Sequence, residues 1–437
     1  MIPHPENPAQ RSFFVRITKI FRHFVIFTKE LLSQARACGM MKKSECCKEA
    51  LPMTQVYEVL QLEPFHEFQL QAGERGLTNE VTNVTMLDYE TDARDYSAFR
   101  PGDFILSSLY FAKNDESLIL EAFRALVNKG ISGFAIKTVY YFTIPDKLQQ
   151  LADAAGVPVF TFHSTYMEDI IIAVNELMKE KDRQAAQAEL LGHLLREPLT
   201  ESQVSALSHR LDDRMLPWCA AAFATFRDKA GRAPLPTRQT TRWVPMDESG
   251  FHYAMFIYRG GALLLLTTPQ PLDEGRCRAL LMSKLEALRL PPEACRVGFS
   301  RTVATRRQLD ACVSQALQAN RMCRLWQRDW VGYGQLGLYR YLLPLLDAPG
   351  CREECRRQLA EVRAYDQEHG TALLDTLTAF VRCGGDVNET ARALYQHPNT
   401  VRYRVKTVRR LWDDPPEFDQ QAFLCVQLEQ LAGELEP

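Results

Sequence analysis

The sequence predicts a multidomain protein in which two α/β regions precede an all-α region. Strand and helix patterns alternate between residues 54 and 165, and a second set runs from 199 to 330. From residue 335 onward, apolar residues recur at helical spacing. A chain of 437 residues with 46% hydrophobic residues is long and apolar enough for several packed cores. We therefore expect an N-terminal α/β domain, a central α/β domain and a C-terminal helical domain.

Residues 1–53 form a basic extension before these regions. Residues 11–32 mix aromatic with basic side chains, and the charges are too frequent for the apolar core of a secretory signal. One interpretation is an amphipathic helix on a membrane surface. The other is a disordered segment or a misassigned start, because Met40, Met41 and Met53 each offer a later beginning.

The region from 54 to 165 contains three predicted strands. They lie at 104–108, 131–137 and 157–162, each an apolar run bounded by turn residues. The helices between them imply parallel strands with right-handed crossovers. Pro158 in the third run indicates an edge strand, because proline cannot donate to a sheet ladder.

Two predicted helices connect these strands. Asn114 or Asp115 caps the first, and Gly130 ends it. Ile144-Pro145-Asp146 opens the second, and Gly156 ends it.

Polar side chains follow the predicted strands. Ligands of parallel sheets usually bind beyond the carboxyl ends of the strands, so these side chains are candidates for a small-molecule site. Each is also an ordinary polar strand end. The candidate ligand-binding residues are Ser107, Ser108, Tyr110, Lys137, Thr138 and His163.

Residues 166–198 predict one long connecting helix. Apolar residues recur at its beginning, including Ile170, Val174 and Leu177, and resume near Leu191 after a charged middle. The helix either pairs with its copy in a second chain or packs on its neighbours.

The central region, 199–330, is a second α/β unit. Strands are predicted at 219–226, 251–258 and 262–267, and Arg259-Gly260-Gly261 between the last two indicates a hairpin turn. Residues 335–383 then predict a helical connector.

Residues 384–437 predict a helix-turn-helix followed by a closing helix. A short helix spans 388–395 with Ala391, Leu394 and Tyr395 on one side, and Pro398 opens a second helix. The apolar stripe of this second helix is Val401, Val405, Val408 and Trp412.

The other faces of the second helix are basic. Five cations lie between Pro398 and Trp412, and no acidic residue interrupts the run. This pattern is typical of a recognition helix in a DNA major groove. The alternative is a solvated amphipathic helix in a bundle. The net charge of the chain is only −2, so DNA affinity would come from this local patch and not from the whole surface.

This segment resembles the C-terminal helix-turn-helix of PucR/CdaR-type bacterial transcription regulators. The family signature is close to T-A-x-x-L-x-x-H-x-N-T-V-x-Y-R. The matching residues are Thr390, Ala391, Leu394, His397, Asn399, Thr400, Val401, Tyr403 and Arg404.

Two further regions resemble the same regulators. Residues 54–165 are similar to the N-terminal sensing domain, through Pro101-Gly102-Asp103, Leu151-Ala152-Asp153 and Val157-Pro158-Val159 among other short marks. Residues 199–330 resemble the degenerate cyclase-like (GGDEF-like) domain in the middle of the CdaR-type regulators. An active cyclase would need Asp-Glu after the two glycines, where this chain has Ala262-Leu263.

The resemblance implies a regulator that senses a small metabolite, reads operator DNA and controls a catabolic operon, such as one for purines or another nitrogen source. We expect a cytoplasmic protein that forms a homodimer or higher homo-oligomer, without enzymatic activity, cofactor, metal or membrane span. The expected DNA-binding residues are His397, Asn399, Thr400, Arg402, Tyr403, Arg404, Lys406, Arg409 and Arg410.

The alternative is a nucleotide-handling, cyclase-like enzyme. The chain lacks G-x-x-x-x-G-K-[ST], a G-x-G-x-x-G after a strand and H-E-x-x-H. Its 12 cysteines are irregularly spaced, and neither Cys46-Cys47 nor Cys351 with Cys355 has a second pair at metal-ligand spacing. The sequence therefore favours the regulator.

Overall fold

The computed structural model describes residues 53–87, 96–196, 198–227, 250–288, 290 and 294–435. The basic extension, including Cys46 and Cys47, lies outside the described residues. Contacts divide the chain into two compact units. The N-terminal unit reaches Glu197 and includes Phe256–Arg259, and the C-terminal unit contains the remaining described residues from Pro198 onward.

A five-stranded sheet organises the N-terminal unit. Its order is β1-β5-β4-β3-β2, with β2 to β5 parallel and β1 antiparallel to β5. The elements in chain order are α1 (Val56–Val59), β1 (Gln69–Ala72), β2 (Asn83–Met86), β3 (Asp103–Ser107), α2 (Ser117–Lys129), β4 (Gly133–Lys137), α3 (Asp146–Ala155), β5 (Val159–Phe162) and α4 (Met167–Arg196).

Alternate residues of the strands face two separate cores. Ile105 packs with the buried residues of α2 and α3, whereas Phe104 and Leu106 pack with Ile170 and Val174 of α4. The predicted mixed α/β character is confirmed. Gly130 and Gly156 end α2 and α3 in the left-handed conformation, as expected of helix C-caps.

The edge position predicted from Pro158 is wrong. β5 lies between β4 and β1 and pairs with both. Pro158 stands just before the strand, where its carbonyl accepts a hydrogen bond of 2.9 Å from the Phe134 amide. The missing amide hydrogen therefore costs the sheet no ladder bond.

A mixed sheet opens the C-terminal unit. Its order is β11-β9-β6-β8-β7, and β10 pairs with β6. The elements are α5 (Glu201–Leu211), β6 (Trp218–Phe226), β7 (His252–Tyr258), β8 (Gly261–Thr268), α6 (Glu274–Ala287), β9 (Cys295–Phe299), β10 (Val303–Ala304), α7 (Thr305–Leu325) and β11 (Trp330–Gly332).

Six helices complete the unit. They are α8 (Tyr339–Leu346), α9 (Pro349–His369), α10 (Leu373–Arg382), α11 (Val387–Ala393), α12 (Pro398–Leu411) and α13 (Phe418–Leu435). Their apolar residues form one core that also contains Ala319, Met322 and Cys323 of α7. The helical character predicted for this region is confirmed, and α7 is packed into the same core as the terminal helices.

Candidate nucleic-acid interface

The first helix of the helix-turn-helix, α11, is capped at both ends. The Asp386 carboxylate accepts hydrogen bonds from the amides of Asn388 and Glu389, at 2.8 and 2.9 Å. At the other end, the Gln396 amide donates to the Ala391 carbonyl at 2.9 Å. These bonds stop the helix after two turns and direct the chain toward α12.

Tyr395 does not lie on the inward side of this helix, contrary to the prediction. Its backbone is left-handed, with φ at 52°, and its side chain is 96% exposed. The helix ends at Ala393, so the helical spacing that placed Tyr395 inward does not apply to it. Only Thr390 and Ala391 of α11 are fully buried.

His397 forms the N-cap of α12. Its Nδ1 accepts a hydrogen bond of 3.1 Å from the Asn399 amide, and Pro398 occupies the first helical position. A proline there loses no helical hydrogen bond. The structure therefore gives His397 a role in opening the helix.

One side of α12 is anchored in the core. Val401 and Val408 are fully buried and Trp412 nearly so, while Val405 packs partly buried against the same core. The Trp412 indole nitrogen donates to the Gln358 carbonyl of α9 at 3.1 Å. These contacts fix which side of α12 faces outward.

The outward side of α12 is polar and basic. Five exposed side chains occur at spacings of three, four, seven and eleven residues from the first, which places them along one face of the helix. This outward face consists of Asn399, Arg402, Tyr403, Lys406 and Arg410.

Within the outward face, one contact orders the first turn. An Arg402 guanidinium nitrogen donates to the Asn399 side-chain oxygen at 2.7 Å. Tyr403 is 67% exposed beside them. The N-terminal turn thus presents an amide, a guanidinium and a phenol, which are groups able to reach base edges and phosphates.

Besides the N-cap His397, three residues of the predicted DNA-binding set are not on the outward face. Thr400 is half-buried, and Arg404 donates to the Thr376 hydroxyl at 3.2 Å. Arg409 pairs with Asp419 at 3.6 Å and lies 4.9 Å from the centroid of the Phe418 ring. The side chains of Arg404 and Arg409 are therefore engaged by the protein itself.

The predicted ligand-binding residues lie at the carboxyl ends of β3, β4 and β5. Ser107 is fully buried, and its hydroxyl donates to the Leu87 carbonyl and accepts from the Leu109 amide at 2.9 Å. It is therefore not available to a ligand, which corrects the prediction for this residue. Ser108 beside it is half-buried.

The other four predicted residues approach exposed aromatic rings or each other. Thr138 and His163 are joined by a hydrogen bond of 3.1 Å. The Lys137 ammonium lies 5.2 Å from the Tyr166 ring centroid, and Tyr110 meets Tyr140 edge to face at 5.6 Å.

Sequence reasoning missed the aromatic and cationic neighbours of this edge. Lys113 lies 4.0 Å over the Tyr110 ring, and Phe142 and Tyr166 are 72% and 69% exposed. The run of aromatic residues at 140–142, directly after a strand, was the available signal.

Glu67 organises the loop after β5. Its carboxylate accepts hydrogen bonds from the Ser164 amide at 2.9 Å, the Ser164 hydroxyl at 2.6 Å and the Thr165 amide at 2.6 Å. Burial opposes ionisation, but these hydrogen bonds lower the pKa of Glu67 to about 2.

Neither a metal centre nor a membrane span occurs in the described part of the chain. No group of three or more His, Cys, Asp or Glu residues is placed there to hold a metal ion. None of the described helices is long and apolar enough to cross a membrane.

Comparison with known proteins identifies two family domains. Residues 58–178 match the purine catabolism regulatory protein-like family, and residues 373–428 match the PucR C-terminal helix-turn-helix domain. The second match contains α11 and α12 with their caps.

The alignments to curated relatives are short. The chain is 33% identical over 95 residues to an uncharacterized protein of Mycobacterium tuberculosis, covering 22% of this chain and 23% of that protein. It is 33% identical over 79 residues to the proline-responsive transcriptional activator PutR of Bacillus subtilis, covering 18% and 19%. It is 28% identical over 105 residues to the purine catabolism regulatory protein of the same species, covering 24% and 19%.

The alignments thus span about a fifth of the length of the curated relatives.

A solved structure is similar over a longer stretch. It is the crystal structure of a regulator of polyketide synthase expression from Bifidobacterium adolescentis, which is 17% identical in sequence, and the match covers 57% of this chain and 93% of that chain. Its TM-score of 0.27 is too low to support an argument. Residues 58–178 and 373–428 are thus similar to two domains of PucR-type regulators, and the second of these regions contains the capped helix-turn-helix.

Proposed function

We propose that the chain regulates transcription by reading operator DNA with the outward face of α12. The observation that supports this most is the outward face itself: three cations, an amide and a phenol lie along one side of a helix whose opposite side is fixed in the core. Arg402, Tyr403 and Asn399 at its N-terminal end contact bases, and Lys406 and Arg410 contact phosphates. His397 supports the turn.

Selection from a pool of randomised DNA duplexes tests this proposal. The full chain is expected to enrich a common sequence and to bind it in fluorescence anisotropy titrations. A variant with Arg402, Lys406 and Arg410 all changed to Ala is expected to keep its circular dichroism spectrum and lose this binding. Failure of the wild-type chain to enrich any sequence would contradict the proposal.

A small effector is proposed to bind at the carboxyl edge of the N-terminal sheet. The proposed ligand residues are Ser108, Tyr110, Lys137, Thr138 and His163. Ser107 is not among them, because it is fully buried. Tyrosine rings beside lysine ammonium groups suit a flat molecule that carries negative charge. The names of the Bacillus relatives suggest control of a catabolic operon for purines or another nitrogen source.

Thermal-shift measurements with urate, xanthine and L-proline test this site. An effector is expected to raise the melting temperature of the wild-type chain and not that of Lys137→Met or Tyr166→Ala. Lys147→Met is the matched control, because Lys147 is an exposed lysine of α3. An equal shift in all four proteins would place the effector elsewhere.

The central region is proposed to be a degenerate, catalytically silent cyclase-like domain. Ala262 and Leu263 are completely buried in β8, where their side chains can hold neither metal nor triphosphate. Incubation with GTP or ATP and magnesium is expected to give no cyclic dinucleotide. Formation of product above a blank would favour the enzyme alternative.

We also propose that this cytoplasmic regulator acts as a homodimer or higher homo-oligomer. One helix-turn-helix reads too few base pairs to address a genome, and paired heads read two half-sites about 34 Å apart. Three apolar residues of α4, the helix that could pair with its copy in a second chain, are not available for such pairing. Ile170, Val174 and Leu191 are all completely buried within the chain.

Sedimentation of the full chain tests the pairing. A dimer at micromolar concentration is expected. A 50 kDa monomer that binds a palindromic selected duplex with a one-site isotherm would contradict it.

A further inference from the structure

Arg404 differs from the cations of the outward face. Arg402, Lys406 and Arg410 are exposed, whereas Arg404 is half-buried on the side of α12 that meets α10. Its guanidinium donates to the hydroxyl of Thr376 at 3.2 Å, and Thr376 is only 1% exposed. The Thr376 hydroxyl in turn donates to the Ala372 carbonyl at 2.6 Å, so it is satisfied on both sides.

A carboxylate completes this arrangement. Asp366, near the end of α9, accepts hydrogen bonds from the Thr371 hydroxyl at 2.6 Å and from the amides of Leu373 and Leu374 at 2.7 and 2.9 Å. Burial acts to raise the pKa of Asp366, but these hydrogen bonds and the charge of Arg404 lower it below its ordinary value. Asp366 of α9 thus caps the start of α10, and the charge of Arg404 on α12 acts on the same carboxylate.

Moving Arg404 out toward DNA would break these interactions. The Thr376 hydroxyl would lose its donor in a buried position, and Asp366 would lose a neighbouring positive charge. Both groups would keep their other hydrogen bonds, but a hydrogen bond from a charged group away from water is worth more than an exposed ion pair. Arg404 is thus better suited to stay within the protein when DNA binds.

We infer that Arg404 is a positioning residue that fixes α12 on α10 and so sets the direction of the outward face, without neutralising a DNA phosphate. The inference rests on the proposed function, because it assigns the role of one cation in DNA reading. It replaces the direct DNA contact expected for Arg404 from the sequence.

DNA titrations of the full chain test this role. The probes are a duplex that the wild-type chain selects from a randomised pool and a scrambled duplex of the same composition. Arg404→Met is expected to weaken the selected duplex about tenfold, to leave the scrambled duplex little changed and to keep the salt slope of log K unchanged. The matched control Lys406→Met should weaken both duplexes and reduce the slope by about 0.9.

The slope separates the two roles. A fall of about 0.9 in Arg404→Met, with both duplexes weakened alike, would assign Arg404 to a phosphate and overturn the inference. A role in stability alone would lower the fraction of active protein and leave the ratio of the two affinities unchanged, which would also overturn it.

Melting without DNA tests the anchor independently. Arg404→Met and Thr376→Val are each expected to lower the melting temperature by about 2–4 °C, and the double variant by little more than the larger single effect. Lys406→Met combined with Thr376→Val should be additive. Additivity of Arg404→Met with Thr376→Val would overturn the anchor. If no duplex is selected, the proposed function fails, while this cycle still decides whether Arg404 anchors α12.

Discussion

The outward face of α12 and the carboxyl edge of the N-terminal sheet are both rich in cations, yet they present them differently. On α12 the exposed cations follow one another along a helix, and that helix contains no carboxylate. At the sheet edge each lysine lies against an aromatic ring, Lys113 on Tyr110 and Lys137 on Tyr166. The first arrangement suits a polymer with repeated charges, and the second suits a single flat molecule.

The largest expected effect is on base reading. Arg402→Ala should cost about 1–3 kcal/mol of DNA-binding free energy, or roughly 5- to 150-fold in affinity, and relax one operator position. Lys406→Ala should instead weaken all sequences alike. Titrations against single-base variants of the selected duplex measure both. Unchanged affinity in Arg402→Ala would remove that residue from the reading face.

Salt concentration should affect DNA binding by α12 more than effector binding at the sheet edge. Two phosphate contacts from Lys406 and Arg410 would give a slope of about −1.8 in log K against log salt, at about −0.9 for each. Raising salt from about 50 to 200 mM would then weaken DNA binding about 12-fold. Effector binding should change far less, because one small anion meets one or two cations. Similar salt slopes for DNA and for the effector would contradict the expected difference between the two surfaces.

A smaller effect concerns the backbone between the two helices. Tyr395 has a left-handed φ of 52°, which glycine adopts without strain. Tyr395→Gly should raise the free energy of unfolding by up to about 1 kcal/mol. Chemical denaturation measures this change. Destabilisation would mean that the exposed Tyr395 ring makes contacts that outweigh the strain.

A pH-dependent effect is expected from Glu67, at the sheet edge. Its pKa is lowered from 4.5 to about 2, so its stabilising contribution is fully present above about pH 4.5 and is lost as the pH falls toward 2. Unfolding measured across this window should show a steeper loss in wild type than in Glu67→Gln. Parallel curves would mean that the Ser164 and Thr165 contacts do not depend on ionisation.

Local signals in the sequence predicted much of both regions. Pro398, Gly130 and Gly156 mark helix ends through their own backbone preferences, which neighbours hardly change. The stripe from Val401 to Trp412 gave the buried side of α12 because a regular helix repeats its faces.

Other features depend on packing that no local pattern encodes. The antiparallel addition of β1 joins Gln69 to Thr161, almost a hundred residues away. Helical spacing puts Arg404 beside the apolar stripe, but its partner Thr376 lies on another helix and no local pattern predicts it. Ser107 likewise resembled a strand-end ligand residue until its hydroxyl was seen to bond the Leu87 carbonyl.

The core that joins α7 to the terminal helices limits how this part of the chain can be exchanged between proteins by recombination. A fragment that began at residue 384 would keep Val408 and Phe418 but lose Leu342, Leu359 and the other residues that cover them. The helix-turn-helix is therefore not a segment that recombination can move alone. Exchange of operator specificity between such proteins would require the whole stretch from α7 onward, or substitutions confined to the exposed side of α12.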